Sequence, residues 1–117
     1  MLLLTSTSDL IDVVTSGAAT VDVHASYMDY DGTPTTTPGR TNTTITTAAT
    51  TTVVPSPGGA SVKRNVKFLT IRNKDGAVTT DVTVRHNDGS TIVELKKVTL
   101  APNAELHFID GIGFLML

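Results

Sequence analysis

Apolar and polar positions alternate with a period of two over much of this chain. Val21, Val23, Ala25 and Tyr27 fall on one side, and Asp22, His24 and Ser26 on the other, the pattern of a half-buried strand. The stretch from Val78 to His86 repeats it, predicting Val78, Val82 and Val84 inward and Thr79, Asp81, Thr83 and Arg85 outward. Leu10 to Val14, Ile92 to Leu100 and the segment carrying Leu106 and Phe108 are further extended candidates. Val66 to Arg72 differs, because Phe68, Leu69 and Ile71 are apolar on both faces, which predicts a central strand covered on both sides. No segment sustains a helical period. Turn signals at Asn73-Lys74-Asp75-Gly76, Asn87-Asp88-Gly89, Ala101-Pro102-Asn103 and Asp110-Gly111 separate the runs. Asp88-Gly89 suits the positive φ values of a primed hairpin turn. Short strands with turns every 8 to 12 residues or so predict an all-β antiparallel β-sandwich, of jelly-roll or immunoglobulin-like type.

Two stretches break the alternation. Residues 29–42 carry Gly32, Pro34, Pro38 and Gly39, and residues 55–65 open on Pro55-Ser56-Pro57-Gly58-Gly59. Proline removes a ladder donor and glycine supplies turn dihedrals, so both read as long loops. Between them, Thr43 to Val54 is almost entirely Thr, Ala, Val and Ile without charge, which reads as one strand. Leu2, Leu3 and Leu4 at the start and Phe114, Leu115, Met116 and Leu117 at the close are the most adhesive segments. Each such side chain contributes about 1.5–3 kcal/mol when fully buried. They are expected to be terminal strands of the sandwich or contacts to another subunit.

A length of 117 residues fits a single domain spanning 1–117. Threonine occupies 22 positions, and its β-branched side chain favours extended backbone. A formal net charge of −2 gives no electrostatic basis for a nucleic-acid partner. Without cysteine there is neither a disulfide framework nor a thiolate metal site. The opening apolar run is too short for a signal core, and no stretch reaches the 18 or so apolar residues of a spanning helix, so no membrane partner is expected.

Candidate chemistry is sparse. His24, His86 and His107 lie in separate predicted strands without the close spacing of a local ligand clamp, so no metal site is expected. Asp29-Tyr30-Asp31-Gly32 resembles the opening of a calcium loop but lacks its later carboxylates, and reads as an Asx-rich turn. Tyr27 and Tyr30 beside it suit a contact surface. There is no Gly-x-Ser-x-Gly elbow and no phosphate loop, so neither catalytic residues nor a cofactor is assigned and the chain is expected not to be an enzyme. Lys63, Arg64 and Lys67, with Arg72 and Lys74 beyond, form the one local basic concentration, read chiefly as a solvated strand edge.

Several segments together carry a resemblance. They are the opening Met1-Leu2-Leu3-Leu4-Thr5-Ser6-Thr7-Ser8, Val21-Asp22-Val23-His24-Ala25-Ser26-Tyr27, Thr37-Pro38-Gly39-Arg40-Thr41-Asn42-Thr43, Arg64-Asn65-Val66-Lys67 with Ile71-Arg72-Asn73, Val84-Arg85-His86-Asn87-Asp88-Gly89 and Asp110-Gly111-Ile112-Gly113-Phe114. Over nearly its whole length the chain resembles small bacteriophage and prophage all-β virion structural proteins. The resemblance implies a capsid decoration (cement) subunit on the outer head surface, or a neck, tail or fibre component. The implied partners are further copies of the chain, as a homotrimer, and the major capsid protein or other virion proteins, with the virion as location. The expected contact residues are Leu2, Leu3, Leu4, Tyr27, Tyr30, Arg40, Lys63, Arg64, Phe114, Leu115, Met116 and Leu117. The alternative is a receptor- or carbohydrate-binding module built on Tyr27, Tyr30 and the Asp29–Asp31 loop.

Overall fold

A computed structural model describes residues 1–117. Ten strands run through the chain: β1 (Leu2–Leu4), β2 (Leu10–Thr15), β3 (Val21–Tyr30), β4 (Thr36–Ile45), β5 (Ala49–Val54), β6 (Lys63–Asn73), β7 (Thr80–Asn87), β8 (Ile92–Leu100), β9 (Glu105–Ile109) and β10 (Gly113–Met116). They form two antiparallel sheets packed as a sandwich. The larger sheet has the order β10-β9-β6-β3-β4, with β1 pairing β6 beyond the end of β9. The smaller has the order β5-β2-β7-β8. Neighbours within each sheet are mostly not consecutive in sequence, so the chain crosses repeatedly from one sheet to the other.

The alternation read from the sequence places the core. Val21, Val23, Ala25, Leu69, Ile71 and Leu106 from the larger sheet meet Ile11, Val13, Val54, Val82, Val84 and Leu100 from the smaller. Aliphatic residues on facing pleats interdigitate and exclude water, each fully buried side chain contributing about 1.5–3 kcal/mol. Asn73, fully buried at one end of this core, satisfies its amide by donating to the carbonyls of Val78 and Leu100 at 2.8 and 3.0 Å. Asp12 and Arg85 pair across β2 and β7 at 2.7 Å on the opposite face of the smaller sheet.

Several expectations are corrected. The stretch 29–42 is not a long loop: β3 runs on to Tyr30 and β4 begins at Thr36, leaving a five-residue connection. Pro38 and Gly39 lie inside β4, opposite Met28 and Tyr27. This is tolerated because β4 is an edge strand, where proline need not supply a ladder donor. The second loop is likewise shorter, since β6 starts at Lys63. Thr43 to Val54 is two strands, with a corner at residues 46–48 that carries the chain from one sheet to the other. Val78 precedes β7 and is exposed, and Thr80 takes the buried position beside Leu100. After Asn87 the chain makes a four-residue connection in which Gly89 alone has positive φ, so the turn is not a primed two-residue one. Asp88 closes it by accepting from the amides of Ser90 and Thr91 at 2.8 and 2.6 Å.

Candidate contact surface

β6 is central in the larger sheet, yet over Phe68–Arg72 only one of its faces packs against the other sheet. Leu69 and Ile71 are buried against the smaller sheet, so the alternation turns Phe68, Thr70 and Arg72 to the outside. Register then assembles the outer face row by row. Ile109 stands opposite Phe68, His107 opposite Thr70, and Leu115 of β10 opposite His107. On the other flank, Ser26 and His24 stand opposite Phe68 and Thr70. Phe68 sits between two imidazoles, its ring centroid 6.4 Å from that of His24 and 5.6 Å, edge-on, from that of His107. Toward β1, Leu3 and Met28 flank Asn65 from its two neighbouring strands. Asn65 is 3 % exposed, and its Oδ1 meets no donor. Phe68, Ile109, Met28, Leu3 and Leu115 therefore line an apolar band on the outside of the sandwich. Ile112, 67 % exposed in the β9–β10 turn, lies at its margin.

Beside the band the same face becomes polar. A shallow depression is lined by Asp22, His24, Asn42, Thr44, Thr70, Arg72 and Lys74. Its charges are paired: Lys74 meets Asp22 at 3.0 Å, and Arg72 meets Glu105 at 2.7 Å. Lys74, with the Thr44 hydroxyl, holds the Asp22 carboxyl below its ordinary range. Arg72, with His107, does the same for Glu105. Asn42 completes the lining by donating to Nδ1 of His24 at 2.7 Å and accepting from Arg40 at 3.2 Å.

The margin of the larger sheet is β10. Its terminal neighbour Leu117 exchanges both backbone hydrogen bonds with Glu105, at 2.8 and 3.0 Å. In an antiparallel ladder this bonding alternates, so Leu115 also bonds toward β9 while Phe114 and Met116 point their N–H and C=O groups outward. β10 carries no charge, no proline and no register shift. The other margins are guarded or very short: β1, which pairs only β6, has three residues, and its Leu3 carbonyl meets Nε2 of His86 at 3.2 Å. β4 carries Pro38, and β5 is backed by the Thr41 hydroxyl of β4, which donates to the Val53 carbonyl. β8 has a register shift at Leu95 followed by Lys96 and Lys97. Proline, bulges, lysines and very short strands are the devices that keep sheet edges from pairing, and β10, four residues long, has none of the first three.

The expected contact residues separate accordingly. Leu3, Leu115, Met116 and Leu117 are exposed, with Tyr30, Arg40 and Lys63. Leu4 is fully buried and Leu2 and Phe114 pack on the core, so these three anchor the end strands rather than offer a surface. Arg64 is also inside: it pairs with Asp29 at 2.8 Å and donates to the Pro55 carbonyl at 2.7 Å. Its guanidinium lies 4.0 Å from the centre of the Tyr27 ring, which covers Gly39 on the opposite strand. Tyr27 and Asp29 thus close one end of the sandwich, while Tyr30 and Asp31 stay exposed beside them. The basic concentration is dispersed too, with Lys67 on Asp110 at 3.1 Å and Lys63 on the Thr5 carbonyl at 2.8 Å. Sequence reasoning missed the outer-face band. Its signal was present in Phe68 on the polar parity of β6, but that parity was read as burial on both sides.

Comparison of the chain with protein-family models, with curated proteins and with solved structures finds no match.

Proposed function

We propose that this chain is a structural subunit of a bacteriophage virion, a decoration protein that binds the outside of the head through the outer face of its larger sheet and stabilises the shell. The observation that carries the docking surface is Phe68 at the centre of that face, continued by Ile109 and Leu115 on the side turned away from the core. Scattered surface apolar residues are ordinary, but a group of them gathered on one outer sheet face marks an interaction site. The phage assignment rests on the likeness of the segments quoted above. A bound subunit stabilises the assembled shell by mass action, without chemistry of its own. Cryo-electron microscopy of the particle whose genome encodes the chain tests this. The expected density is a β-sandwich on the outer head surface with the Phe68 face toward the shell, and particles made without the chain should lose their genome at lower temperature. Density elsewhere in the particle, or unchanged heat resistance, would overturn the reading.

The polar depression beside Phe68 favours a second reading, a receptor- or carbohydrate-binding module of a tail or fibre. Hydroxyl, amide and imidazole groups that can hydrogen-bond a sugar line the depression, and its His24 packs beside Phe68. Glycan-array binding that is lost in His24→Ala would support this reading over decoration.

A further inference from the structure

We propose that β10 is a self-pairing edge: two copies of this chain join antiparallel through it, about a two-fold axis at Leu115, into one continuous sheet. The inference deepens the reading of this side of the molecule as an assembly surface and names the occupant of its edge.

The argument begins with which groups are free. Phe114 and Met116 turn their backbone donors and acceptors away from β9, while Leu115 and Leu117 use theirs within the ladder. A second β10 placed antiparallel, with Leu115 facing its own counterpart, sets Phe114 of each copy opposite Met116 of the other. Each of these two pairs exchanges both backbone bonds, so every outward group of the strand is satisfied by its symmetry mate. No other copy-to-copy register does this without slipping the pairing, and a slip of one residue would set outward groups against inward ones. The side chains agree. Leu115 meets Leu115 on the outer face, Phe114 meets Met116 on the inner, and no charge on the strand faces a like charge. A two-fold contact of this kind is isologous and closes on itself, giving a dimer rather than a filament.

The axis stands perpendicular to the sheet, so both copies present their Phe68 faces on the same side. The outer-face apolar residues of one copy, Phe68 and Ile109 with Leu115 on the diagonal, then adjoin those of the other. Two half-surfaces become one broad platform. A trimer, as expected from the sequence, cannot be made by an antiparallel edge pair. The contact is narrow, below the size of standard stable interfaces, so the dimer should dissociate on dilution.

Sedimentation velocity across a concentration series, with Leu115→Cys and Val78→Cys variants, tests this. The native chain contains no cysteine, so any cross-link reports the introduced thiol alone. Facing residues of a non-hydrogen-bonded antiparallel pair lie about 4.5 Å apart at Cα, within disulfide reach. The mass should double with concentration, and Leu115→Cys should cross-link to a dimer under mild oxidation at least tenfold faster than Val78→Cys, which is equally exposed but lies outside β10. Met116→Pro, which removes only an outward donor, should shift the dimer to monomer with the strand spectrum unchanged. A chain that stays monomeric at every concentration, a trimer, or equal cross-linking rates at the two cysteines would overturn it. Shell binding by a monomer would sink the dimer while leaving decoration intact, and a dimer that ignores shells would do the reverse.

Discussion

The fold is fixed by small steric and polar decisions at single residues, and Gly39 is the sharpest of them. It lies in mid-strand, where glycine ordinarily weakens a sheet, yet a Cβ there would run into the ring of Tyr27 on the facing strand. The ring covers the gap that glycine leaves, and Arg64 seals it from the other side. Gly39→Ala should therefore cost about 1–3 kcal/mol in urea unfolding, the range for overpacking, although alanine is the better residue for an ordered backbone. Gly58→Ala is the matched control, since nothing stands near its Cβ, and it should be close to neutral. Equal effects at the two sites would show that the Tyr27 contact is not what Gly39 provides. The sequence could not reveal this, because the ring and the glycine meet only through the β3–β4 register.

At the scale of the element, period-two alternation identifies β3, β7 and the inner face of β6 directly, because one face of each strand must be apolar to be buried. It fails where the edge of a sheet relaxes the rules. Pro38 and Gly39 argued for a loop, but an edge strand leaves one row of backbone groups free and can accommodate both. It fails again at Phe68, where an apolar residue on the outward parity predicts burial within the fold and instead faces away from the core. The same logic separates the sheet margins: β4, β5 and β8 are guarded, β1 is only three residues long, and β10 is open. Replacing Lys96 and Lys97 of β8 by threonine strips the guard from a nine-residue edge. Sedimentation should then detect species larger than the dimer, and an unchanged distribution would show that the register shift at Leu95 suffices.

Across the whole molecule, the charge arrangement sets how the sandwich responds to acid. Lys67 holds the Asp110 carboxyl below its ordinary value of 3.8, and Lys74 does so for Asp22. Burial alone would push Asp9 up, but the Thr5 amide, the Ser6 hydroxyl and His86 together bring it below that value. A carboxylate whose folded pKa is depressed contributes stability above the unfolded value and loses it as pH falls through the folded one. Thermal unfolding followed by circular dichroism should thus show a midpoint that is insensitive to these groups above about pH 5 and that declines below about pH 4. Asp9→Asn should lower the midpoint at neutral pH and flatten the acid decline. A midpoint that rises toward pH 3 would contradict this arrangement. The same body carries the apolar band and the open edge on one side, and assembly through that side is the central claim. Amide hydrogen exchange read by NMR, in dilute solution and at high concentration, tests it most directly. The Phe114 and Met116 amides should exchange freely when dilute and become protected on association, while Leu115, already bonded to β9, changes little. Identical exchange at Phe114 and Met116 under both conditions would contradict the account.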